Sequence, residues 1–219
     1  IRSFVSVGAY GVGLVFNAEA QEEPVALFYE NEQKKAYENI GLYFDLVESP
    51  DDASAGADRR RIQEELPRRE IGLHEFSHAV YPTGTPEAER LGPEAESVLG
   101  EVMAESVYRG LAGELIQNGA IDSTREHYAA LTAALSLKSM AESEPDDEYF
   151  QAAAFVLNGL VERGTVVFDG QKVRIADIDM FFAGLKENAR AIIALYEDKK
   201  TNPHAAEQWI QTNCTPNEK

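Results

Sequence analysis

Two histidines and a glutamate near the middle of the chain form the pattern with the clearest chemistry. His74, Glu75 and His78 read as HExxH, with the histidines four residues apart. On a helix this spacing places both imidazoles on one face, about one turn apart, where together they can bind one zinc ion. Other divalent ions also suit such ligands. The alternatives are a surface helix with two solvated imidazoles and a helical interaction domain that carries the motif by chance.

A catalytic zinc site needs a third protein ligand and an open fourth position. Glu101 is the predicted third ligand, because the 22 residues between His78 and Glu101 leave room for a turn and a returning helix. Glu94 and Glu96 compete for this role, and any of these carboxylates could simply be solvated. Glu105 lies one turn after Glu101, and the two carboxylates would repel each other on an empty surface helix. One explanation of the pair is therefore a cation that compensates both charges. Alternatively, Glu105 accepts the free ring N–H of a ligand histidine and fixes its orientation.

The position of Glu75 beside His74 points to hydrolysis of an amide. Zinc lowers the pKa of a bound water from about 16 towards about 7 and polarises a carbonyl in its open position. Glu75 can take the proton of that water as a general base and pass it to the leaving amine. We therefore expect a zinc-dependent metallopeptidase that hydrolyses the peptide bonds of short peptides.

The segments around these residues resemble the dipeptidyl peptidase III family of zinc metallopeptidases. The resemblance lies in Gly72-Leu73 before the first motif, in residues 101–107 (EVMAESV) and in residues 157–164 (LNGLVERG), and it extends in patches over residues 13–212. It implies a gluzincin-type site with zinc ligands His74, His78 and Glu101, a catalytic Glu75 and a supporting Glu105.

The chain also departs from the family pattern. Many members carry a six-residue HExxGH motif, whereas this chain has the five-residue form found in some bacterial relatives and in ordinary zincins. By an ungapped count Tyr149 stands where the family has a histidine, and its phenol can donate to an oxyanion; a core or surface tyrosine is the alternative. Full-length members have two lobes, of which this chain resembles the zinc-bearing one. A second hypothesis is therefore a catalytically weakened zinc-binding module derived from such a peptidase.

Composition excludes several other classes of function. The 219 residues include 20 Lys and Arg against 38 Asp and Glu, a net charge of −18, which has the wrong sign for holding nucleic acid phosphates. No apolar run is long enough for a membrane span, and the single cysteine, Cys214, cannot form an intramolecular disulfide. We expect a soluble cytoplasmic protein, with a secreted or periplasmic location as the alternative. The oligomeric state is not predicted.

The elements that position these residues are expected to be mainly helical with a small β component, in one zincin-like domain over residues 1–219. In residues 1–16 apolar residues alternate along the chain and glycines are interspersed among them. This pattern favours an extended segment over a cleaved leader. Residues 50–58 are predicted to be an exposed loop. A hairpin is expected over residues 165–175, with Asp169-Gly170 at its turn, as a small appendage. The predicted helices are 24–47, 67–80, 93–117, 123–140, 145–163, 177–199 and 203–211.

Overall fold

The structure is a computed structural model that describes residues 5–7, 11–14, 26–28, 39–48, 66–170 and 172–216. It is mainly helical with small β-sheets, which confirms the expected fold class. The loop expected over residues 50–58 lies outside the described residues. In chain order the elements are β1 (Val5–Val7), β2 (Gly11–Leu14), β3 (Ala26–Phe28), α1 (Ile40–Phe44), β4 (Val47–Glu48), α2 (Leu66–Ser77), α3 (Pro86–Glu89), α4 (Pro93–Gln117), α5 (Arg125–Glu142), α6 (Glu148–Glu162), β5 (Val166–Asp169), β6 (Lys172–Ile175), α7 (Ile178–Glu197) and α8 (Pro203–Asn213).

The described strands form two small sheets. In the first, β2 pairs antiparallel with both β1 and β3, so the extended character predicted for the start of the chain is confirmed in β1 and β2. In the second, β5 and β6 form the expected hairpin, with Gly170 at its turn in the left-handed region, and β4 adds in parallel to β6. The hairpin is not an appendage, because Val166, Val173 and Ile175 are buried in the core.

The helix predicted over residues 24–47 is wrong over most of its described part. Residues 26–28 are strand β3, α1 covers only residues 40–44, and β4 follows it; residues 29–38 lie outside the described residues. A short apolar run suits a strand as well as a helix, and its pairing with β2 decides between them. The remaining predicted helices are confirmed to within a few residues. At the start of α5, Thr124 is the cap, its hydroxyl accepting from the His127 N–H at 3.2 Å.

Helix α4 is the central element, with α2, α6, α7 and α8 packed around it. Both of its ends agree with the sequence: Pro93 opens its first turn, and Asn118 lies just past its last residue. Its N-terminal half contributes Leu99 and Val102 to one hydrophobic cluster, and its C-terminal half contributes Ala112 to the other. None of the helices in the described ranges combines the length and apolar character needed to cross a bilayer.

Candidate metal centre

The neighbouring helices α2 and α4 bring together the three predicted ligands. His74 lies in the last turn of α2, and His78 follows the helix, with its N–H donating to the His74 carbonyl at 3.3 Å so that the helical spacing persists. The Nε2 atoms of His74 and His78 are 3.2 Å apart. From α4, the Oε2 atom of Glu101 lies 3.2 Å from His74 Nε2, and its Oε1 atom lies 3.6 Å from His78 Nε2. Glu94 and Glu96 are not part of this group among the described residues.

These distances fit a small tetrahedral cation. Zinc at bond lengths of about 2.0 to 2.2 Å separates neighbouring ligand atoms by about 3.3 to 3.6 Å. His74 Nε2 lies close to this separation from both His78 Nε2 and Glu101 Oε2, at 3.2 Å each, whereas His78 Nε2 faces the other Glu101 oxygen, Oε1, at 3.6 Å. Glu101 Oε2 is buried, and no hydrogen-bond donor of the described residues is correctly aligned towards it. The donor set of two imidazole nitrogens and one carboxylate is also that of many catalytic zinc sites.

The electrostatics of the group favour a positive charge at its centre. Burial alone lowers the pKa of His74, but the carboxylates of Glu101 and Glu105 outweigh it and hold that pKa well above its ordinary value. At His78, burial and the neighbouring His74 lower the pKa instead. The two imidazoles therefore do not both carry a proton readily, and a divalent ion can replace the single proton that the carboxylates attract.

Glu105 lies behind His74 and not beside the three converging atoms. Its Oε1 atom is 2.9 Å from His74 Nδ1. Burial raises the pKa of Glu105, but the Arg109 guanidinium and His74 outweigh it and lower the pKa to about 2. Glu105 is thus an acceptor, so Nδ1 of His74 is the donor, and a metal at Nε2 would take the place of the second ring proton. This geometry matches the supporting position, the second of the two alternatives for Glu105.

Glu75 and Tyr149 both feel the charge of Glu101 in this group. Burial, together with Glu101, raises the pKa of Glu75 although His74 opposes the shift. Tyr149 is the second residue of α6 and is 38% exposed. Its pKa is raised by burial and then by nearby carboxylates, Glu101 and Glu75 among them, so the phenol stays protonated and can donate a hydrogen bond at this site.

The chain has the fold of solved dipeptidyl peptidase III structures. It is similar to the dipeptidyl-peptidase III from Corallococcus sp. strain EGB, with a TM-score of 0.74 and 17% identity over 96% of this chain and 39% of that one. It is also similar to DPP III from Caldithrix abyssi, with a TM-score of 0.68 and 16% identity over 98% of this chain and 41% of that one. The chain therefore spans about two fifths of the length of these structures. No family model and no curated protein matches it.

Two charged residues that the sequence analysis did not single out, Arg109 and Glu70, extend the polar contacts of Glu105 away from His74. Arg109 is 3% exposed and forms an ion pair with Glu105 through Nη1, while its Nη2 atom lies 3.9 Å from Glu70 Oε2. Glu70 is also 3% exposed, and it accepts a hydrogen bond from the Tyr108 hydroxyl at 3.3 Å. A signal for both exists in the sequence, because Glu70 precedes His74 by four residues and Arg109 follows Glu105 by four.

Proposed function

We propose that this chain is a zinc-dependent metallopeptidase, related to the dipeptidyl peptidase III enzymes, that hydrolyses short peptides. The observation that carries the proposal is the convergence of the Nε2 atoms of His74 and His78 with the Glu101 carboxylate at zinc-ligand separations. The fold similarity supports it independently, because both solved neighbours are dipeptidyl peptidases by name.

In the proposed reaction, bound zinc supplies Lewis acidity that polarises the peptide carbonyl and makes water more acidic. Glu75 accepts a proton from the attacking water on its carboxylate and delivers it to the leaving amine. The pKa of Glu75 is raised towards neutral pH, and a group accepts and delivers a proton best when its pKa lies near the working pH. The Tyr149 phenol donates a hydrogen bond to the oxyanion that forms from the carbonyl oxygen. Glu105 holds the Nδ1–H of His74, which keeps Nε2 directed at the metal position.

The test is hydrolysis of a mixture of short unstructured peptides by the zinc-loaded protein, followed by mass spectrometry of the products. The Glu75→Gln variant removes the base with little change in shape, and we expect it to lose hydrolysis by a factor of at least about 100 while it retains zinc. Glu94→Gln is the matched control, because Glu94 is an exposed glutamate in the first turn of α4. Equal rates in wild type and Glu75→Gln would contradict the assignment of Glu75.

The second candidate is a zinc-binding module derived from such a peptidase that no longer turns over. It is favoured by a tyrosine at position 149 in place of the histidine that the resemblance leads us to expect. This candidate predicts that wild type binds zinc but cleaves no peptide in the same mixture.

A further inference from the structure

Four side chains form a continuous row of polar contacts between α2 and α4. The row starts at Glu70 on α2, crosses to Arg109 on α4, continues to Glu105 on α4 and returns to His74 on α2. Glu70 and His74 are one helical turn apart, and so are Glu105 and Arg109. The three contacts therefore link the turn of α2 that holds Glu70 and His74 to the turn of α4 that holds Glu105 and Arg109.

Arg109 is the residue of this row whose burial most needs an explanation. A guanidinium that is only 3% exposed is strongly unfavourable unless carboxylates compensate its charge. Glu105 and Glu70 flank it, and Tyr108 donates its hydroxyl to the Glu70 carboxylate and so limits its movement. An ion pair on the solvated surface would not need a second carboxylate or a hydrogen bond that holds it in place. Arg109 needs both because it is buried between α2 and α4.

The ion pair with Arg109 determines the orientation of the Glu105 carboxylate. Its side chain is 20% exposed, so without Arg109 its carboxylate could rotate towards solvent and release His74. With Arg109 bound to one carboxylate oxygen, the other oxygen is directed at His74 Nδ1. Orientation of a ligand imidazole by a carboxylate is a known determinant of metal affinity.

We propose that Arg109, anchored by Glu70, is a positioning residue that acts through Glu105 to direct the Nε2 atom of His74 towards the metal. The inference rests on the proposed zinc-dependent function, and it concerns residues that the HExxH pattern does not contain. It assigns Glu70 the role of holding Arg109 between the two helices.

The experiment measures zinc affinity by competition with a chromogenic chelator, in the zinc-free full chain of wild type, Arg109→Met, Glu105→Gln and the double variant. We expect each single variant to bind zinc about 10- to 100-fold more weakly. Because Arg109 acts through Glu105, the double variant should bind no more weakly than Glu105→Gln alone. The absorption spectrum of the cobalt-substituted protein should change in Arg109→Met as the ligand geometry relaxes.

Conservative variants keep the test decisive if Arg109→Met does not fold. Arg109→Lys retains the charge, but one ammonium cannot replace a planar guanidinium between two carboxylates, so we expect a smaller loss of affinity. Glu70→Gln retains an acceptor for Tyr108 and should also weaken zinc binding. Ser106→Ala is the matched control, because Ser106 is a buried polar residue of the same helix whose hydroxyl has no hydrogen-bond partner among the described residues.

The outcomes separate this inference from the function on which it rests. Wild-type zinc affinity in the Arg109 variants, or losses that add in the double variant, would overturn the positioning role and leave the zinc site intact. A wild type that binds no zinc would overturn both proposals. A lower melting temperature of the zinc-free variants with unchanged affinity would also overturn it, since that is the result of a purely structural role.

Discussion

At the scale of single residues, the two histidines of the site are held very differently. His74 has a partner at each ring nitrogen, since Nδ1 contacts Glu105 and Nε2 faces His78 and Glu101. Its side chain is 13% exposed, against 33% for that of His78. His74 is thus the more constrained of the two predicted ligands, and His78 is the more accessible to solvent.

Tyr149 provides a test of the proposed chemistry at the residue scale. Tyr149→Phe removes only the phenolic oxygen, so we expect kcat to fall by about 100-fold while KM and zinc content change little, because the lost hydrogen bond acts on the transition state. Steady-state kinetics on one cleaved peptide measure this. Tyr43→Phe is the matched control, since its hydroxyl donates to Glu142 away from the converging ligands. An unchanged kcat in Tyr149→Phe would remove Tyr149 from the mechanism.

At the scale of elements, the position of α4 determines whether Glu101 reaches the histidines. Helix α4 approaches α7 closely at Gly110, where an added Cβ would lie 2.7 Å from the Ala189 Cβ. A side chain at this position would push the two helices apart. The close approach explains why a glycine is compatible with the interior of this helix, where it otherwise lowers stability.

Two glycine substitutions on α4 should therefore have opposite effects on stability. We expect Gly110→Ala to lower the free energy of unfolding by about 1 to 3 kcal/mol, because the added methyl overpacks the contact with α7. Gly100→Ala meets no atom within 4 Å and should raise it by about 0.5 to 1 kcal/mol through helix propensity alone. Urea denaturation of the zinc-free proteins measures both. Equal effects of the two substitutions would contradict the described packing of α4 on α7.

The helices could be predicted from the sequence where local signals define them. Pro93 and Asn118 mark the ends of α4, and the spacing of His74 and His78 places both on one face without knowledge of the fold. Strand β3 and the burial of the hairpin were not predictable in this way, because they depend on pairing with β2 and β4. Arg109 was missed for a related reason: four residues after Glu105 it reads as a solvated pair, and only packing against α2 makes it buried.

At the scale of the whole molecule, the candidate metal centre is accessible to solvent from one side. His78 and Tyr149 are each about one third exposed, whereas Arg109 and Glu70 behind them are almost completely buried. The fold similarity extends over 96% of this chain, so α2, α4 and α6, which carry Glu70, Arg109 and Tyr149, belong to the shared fold. One side of the site is thus open to solvent, and the other is fixed by the packing of α2 on α4.

The most direct test of the account is the metal content of the purified protein by inductively coupled plasma mass spectrometry, with wild type beside His78→Ala. We predict one zinc per wild-type chain and a loss of zinc in His78→Ala, because two ligands hold zinc far less well than three. Circular dichroism of both proteins verifies that the variant is folded. Absence of zinc from wild type after incubation with zinc and removal of the excess, or equal zinc in both proteins, would contradict the assignment of the metal centre.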